Sequence, residues 1–150
     1  MKPATVGFPV SSNVKPNQEY CMDIIVLSGN PNSGKTTTMN VVYDELISKG
    51  ATVVHKKVQV GGNAMDFECV VNYKGKLVAM CSMGDYLMHC CFAAVRYAYC
   101  EKLILAYNNR FKQDFAAVAA DCQNHTVVKK SGGDSDSSNQ KDAAIVISRL

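Results

Sequence analysis

Gly29, Gly34, Lys35 and Thr36 stand in the pattern G-x-x-x-x-G-K-[ST]. That spacing supplies what a polyphosphate requires: many donors and few bulky side chains. Gly29 and Gly34 allow a tight turn that brings backbone N–H groups close to phosphate oxygens. Asn30, Pro31, Asn32 and Ser33 make up the loop between them, with Pro31 stiffening it. Lys35 is spaced to reach β- and γ-phosphates, and the Thr36 hydroxyl to ligate Mg²⁺, with Thr37 directly behind. A glycine-rich turn that holds no ligand has no use for Lys and Thr immediately after its second glycine.

The flanking residues read as the elements such a loop needs. Ile24–Leu27 is an apolar run, expected to be a buried strand. Met39, Val42, Tyr43, Leu46 and Ile47 recur at helical spacing, and Gly50 stands where a glycine would end that helix. The helix N-terminus at Lys35 would add its dipole and unpaired N–H groups to the loop.

Further along, Thr52–Val60 reads as a strand ending at Gly61-Gly62. Phe67–Tyr73 and Lys76–Ser82 read as an antiparallel hairpin turning at Lys74-Gly75. Leu77–Cys81 is apolar throughout, so it is expected to be buried on both faces and to neighbour the Ile24–Leu27 strand. A helix follows from Asp85 to about Cys100, expected to pack through Leu87, Met88, Cys91, Val95 and Ala98. Leu103–Ala106 reads as a buried strand, Phe111–Cys122 as a helix and Thr126–Lys130 as the last strand. Ser131–Asn139 reads as a flexible loop and Asp142–Leu150 as a closing helix. Alternating strands and helices imply a three-layer α/β fold with a largely parallel sheet and an antiparallel hairpin at one side. Residues 1–21, with three prolines, read as an extended arm, and residues 22–150 as one domain.

A magnesium–polyphosphate site usually includes an acid at the end of a second buried strand. No acid follows Leu77–Cys81 directly. Asp85, after Ser82-Met83-Gly84, is the candidate: it could hold a Mg²⁺-bound water or orient a nucleophile, or it could cap the next helix. Arg110 is the one arginine that follows an expected strand at the ligand-binding rim. It could stabilise charge on a transferred phosphoryl group, or be a solvated surface residue. Asp66 reads as either a substrate-facing or a turn residue. His55, His89 and His125 are far apart, and the spacing of His89 with Cys90 supports neither a metal site nor a nucleophile.

Composition narrows the class. With 47% hydrophobic and 19% charged residues over 150 positions, the chain can build one real core. A net charge of +3 with scattered lysines is too small to point to a nucleic-acid partner, and none is evident. No apolar run is long enough for a bilayer span and no secretory signal is visible, so a cytoplasmic location without membrane association is expected. The seven cysteines include no C-x-x-C pair and read as reduced, buried thiols, with a regulatory disulfide as the alternative.

The Gly29–Thr36 loop, with Thr37 and Thr38 behind it, resembles the P-loop NTPase superfamily. The KGKLVAMCSMGD stretch, Cys100–Leu105 leading to Arg110, and Asn139–Ala144 are similar to a group of small kinase-like bacterial and phage P-loop proteins. The resemblance implies binding of ATP or GTP. No Asn-Lys-x-Asp guanine-reading motif is present, which favours ATP. Two functions are therefore expected as alternatives. One is Mg²⁺-dependent hydrolysis, or phosphoryl transfer to a small-molecule acceptor, with Lys35, Asp85 and Arg110 as catalytic candidates. The other is a nucleotide-gated module whose ordered loops are read by a protein partner.

Overall fold

The computed structural model describes residues 22–84, 86–110 and 124–150. Nine elements follow along these residues: β1 (Asp23–Gly29), α1 (Lys35–Ser48), β2 (Thr52–Gln59), β3 (Phe67–Tyr73), β4 (Lys76–Cys81), α2 (Leu87–Arg96), β5 (Lys102–Asn108), β6 (Asn124–Lys129) and α3 (Asp136–Ser148). The strands form one sheet of six in the order β2-β3-β4-β5-β1-β6. Pairing is parallel across β4-β5-β1-β6 and antiparallel on both sides of β3, so β3 alone runs against the rest. The fold is therefore α/β with a mixed sheet.

Strand alternation splits the core in two. Ile25, Leu27, Val78, Met80 and Ile104 point to the face covered by α1 and α3. Ile24, Val26, Ala79, Cys81 and Leu105 point to the face covered by α2. Such two-sided burial is why these strands are apolar throughout rather than alternating. The hairpin turns where its sequence indicates: Lys74 and Gly75 both have positive φ, 52° and 80°, as a two-residue turn between twisted strands requires. Helix α1 ends in a left-handed glycine, Gly50 at φ 97°, with the Gly50 and Ala51 N–H groups donating to Ile47 and Leu46.

Three expectations need correction. First, β4 is not beside β1: β5 lies between them. Second, α2 ends at Arg96 and is rotated from the expected face, burying Cys90 and Ala93 while Met88 and Val95 are 60% and 74% exposed. Almost every position of this helix is apolar, so periodicity did not single out a face. Third, the closing helix begins at Asp136, not Asp142. The Ser135 hydroxyl caps it by accepting from the Ser138 N–H, so the Ser/Asp-rich stretch is partly a helix start. The arm at 1–21, the helix expected at 111–122 and Asp85 lie outside the described residues. No helix among the described residues is long and apolar enough to cross a membrane.

Candidate functional site

The loop between β1 and α1 sits at the carboxyl edge of the parallel strands, where open α/β sheets bind ligands. Asn32 and Gly34 adopt positive φ, 60° and 89°, and the Ser33 N–H donates to the Asn30 carbonyl. A Cβ at Gly34 would meet Asn139 Oδ1 and Asp134 Oδ1 at 2.7 Å, and the positive φ there strains any other residue. The Lys35 ammonium curls back over the loop, donating to the carbonyls of Asn30 (2.8 Å) and Gly29 (3.2 Å).

A carboxylate meets this loop from an unexpected direction. Asp66 Oδ1 accepts hydrogen bonds from Thr36 Oγ1 (2.8 Å) and Ser82 Oγ (3.0 Å), and the same Ser82 oxygen accepts from the Phe67 N–H (2.8 Å). Asp66 is buried. It precedes β3, the one reversed strand, and so reaches the rim to which the other strands run. Sequence reasoning looked for an acid after an apolar run. In a reversed strand the residue at this rim precedes the strand, as Asp66 precedes β3.

These groups line a cleft of about 230 Å³, walled by Asn32, Lys35, Thr36, Thr37, Asp66 and Asp134 among others. Of the loop residues, Gly34 also lines it, whereas Gly29, Asn30, Pro31 and Ser33 form the turn behind. Gly84 is another lining residue, and a Cβ there would come within 2.5 Å of the Ala106 carbonyl. Two buried polar atoms beside the loop, Ser33 Oγ and Asn108 Nδ2, have no hydrogen-bond partner among the described residues. Asn108 is the register partner of Gly29. Arg110 is exposed beyond β5, joined to Asn108 Oδ1 through its backbone N–H, and does not line the cleft.

Behind the loop, a buried ion pair ties three elements together. Lys130 Nζ lies 2.8 Å from Asp142 Oδ2, and both side chains are almost completely buried. The ammonium also donates to Asn139 Oδ1 (2.6 Å) and to Thr38 Oγ1 (3.1 Å) in the first turn of α1. Burial would push the Asp142 carboxyl up, but the Lys130 and Ser131 hydrogen bonds outweigh it and hold it below the ordinary carboxylate value. The network fixes the loop's exit into α1 from β6 and α3.

No protein-family model, curated protein or solved structure matches the chain.

Proposed function

We propose that this chain is a P-loop nucleotide-binding protein that takes a purine nucleoside triphosphate, ATP by preference, with Mg²⁺ in the Gly29–Thr36 cleft. The observation that carries the reading is the meeting of Thr36 and Asp66. A motif threonine and a buried carboxylate share one hydrogen bond at the mouth of a glycine loop. Both offer oxygen donors, the hard ligands Mg²⁺ prefers. The Lys35 ammonium and the N-terminus of α1 supply positive charge for phosphate oxygens.

The bound Mg²⁺ would supply charge neutralisation for phosphoryl transfer. The chain's own residues divide the remaining work. Lys35 positions and neutralises phosphate oxygens, Thr36 and Asp66 hold the metal directly or through water, and Ser82 orients Asp66. In this reading Asp66 takes the metal-binding part first expected of Asp85. Hydrolysis, or transfer to a small acceptor bound near Asn63 and Met65, is the reaction such a cleft suits.

A thermal-shift titration with ATP, GTP and ADP, with and without Mg²⁺, tests the reading on wild type and Lys35→Ala. Stabilisation by Mg²⁺–ATP that disappears in Lys35→Ala is the expected result. No shift with any nucleotide would overturn it.

A further inference from the structure

A second cluster lies on the α2 face of the sheet. Glu68 on β3 is the register partner of Cys81 on β4, and His89, in the first turn of α2, closes over both. Cys81 Sγ is 3.4 Å from His89 Nε2 and 3.5 Å from Glu68 Oε1, and His89 Nε2 is 3.4 Å from the same Glu68 oxygen. Three donor atoms from three elements thus form a nearly equilateral triangle.

Tetrahedral zinc, with bonds of about 2.3 Å to sulfur and about 2.0–2.2 Å to nitrogen and oxygen, has donor–donor edges of about 3.3–3.6 Å. The observed triangle has those edges. Hydrogen bonding explains it less completely: the thiol and Nε2 carry at most one hydrogen each for three edges. A single Nε2–H also cannot point along both of its edges.

We propose that Glu68 Oε1, Cys81 Sγ and His89 Nε2 bind a zinc-class divalent cation, leaving a fourth position for water. Sulfur with imidazole and one carboxylate selects zinc or cobalt over magnesium or calcium. Glu68 Oε2 accepts a 2.6 Å hydrogen bond from the Tyr97 hydroxyl, the kind of support that orients a ligating carboxylate. The His89 side chain is 20% exposed and gives the ion a route in. Arg96 is the competing cation, paired with Glu68 Oε1, but its side chain is 45% exposed and can withdraw to water. Ligation by the Cys81 thiolate releases the thiol proton to solvent. None of the three ligands lines the nucleotide cleft, so the proposal stands apart from the proposed function.

Titration of the full reduced chain with Co²⁺, followed by competition with Zn²⁺, is the test. The expected result is one equivalent of Co²⁺ with a thiolate-to-cobalt charge-transfer band that Zn²⁺ abolishes. Cys81→Ser should remove the band, and His89→Gln should weaken uptake at least ~10-fold. Cys91→Ser, changing a neighbouring thiol outside the triangle, should leave it intact. Arg96→Gln should bind at least as tightly as wild type, because the competing cation is gone. Should Cys81→Ser fail to fold, the partly exposed His89→Gln decides alone. No band in the folded wild-type chain, a band that survives Cys81→Ser, or unchanged uptake in His89→Gln would each overturn the proposal.

Discussion

The Thr36 hydroxyl donates a 2.8 Å hydrogen bond to Asp66, a residue 30 positions away on the far side of β2 in sequence. The contact exists because β3 is reversed, which brings the start of that strand to the rim where the β1–α1 loop lies. Replacement of Asp66 by Asn keeps the shape and removes the charge. Magnesium-dependent nucleotide affinity should fall by the value of one charged interaction, about 1.5–3 kcal/mol, while metal-free affinity changes little. Calorimetric titration with and without Mg²⁺ checks this.

The Lys130–Asp142 pair should matter more for stability than for the ligand. Asp142→Ala leaves the ammonium buried without its carboxylate and should cost about 3–5 kcal/mol in urea denaturation. The double change Lys130→Met with Asp142→Leu should recover most of that loss.

The same pair sets an acid limit. Asp142 has a folded-state pKa below its unfolded value, so its contribution is fully present above the unfolded carboxylate value, about 3.9. That contribution is lost as pH falls through the lower folded value. Melting temperature followed downward from pH 5 should drop more steeply in wild type than in Asp142→Asn, which has no such proton to take up.

Gly84 admits no side chain. A Cβ would press on the Ala106 carbonyl at 2.5 Å and push apart the ends of β4 and β5, where the Asn108 N–H donates to the Gly84 carbonyl. Gly84→Ala should cost about 1–3 kcal/mol by equilibrium unfolding.

The orientation of α2 is open to a paired test. Val95→Ser, on the exposed face, should change stability by no more than about 0.5 kcal/mol. Ala93→Leu, on the buried face, should cost about 1–3 kcal/mol. The expected α2 packing through Val95 would give a large loss for Val95→Ser.

What the sequence made legible depended on locality. The glycine loop, α1 and its Gly50 terminus, and the Lys74-Gly75 turn are all set by residues within a few positions of one another. Features that depend on strand direction or on a distant partner were not legible. The contact of Asp66 with Thr36 was not legible because the direction of β3 is set by pairing with β2 and β4. The α2 face stayed ambiguous because Met88, Phe92 and Val95 are as apolar as the residues that are buried. His89 finds its sulfur in Cys81, eight residues away on a strand, rather than in adjacent Cys90. The start of α3 was hidden in a serine- and aspartate-rich stretch whose composition suits loops and caps alike.

The proposed function requires that the cleft beside Lys35, Thr36 and Asp66 hold magnesium nucleotide. Isothermal titration of the full chain with ATP, in the presence and absence of Mg²⁺, tests it most directly across wild type, Lys35→Ala and Asp66→Asn. The account predicts one site in wild type that Mg²⁺ strengthens, no measurable binding in Lys35→Ala, and retained binding without magnesium enhancement in Asp66→Asn. Equal binding by all three proteins, or none by wild type, would contradict it.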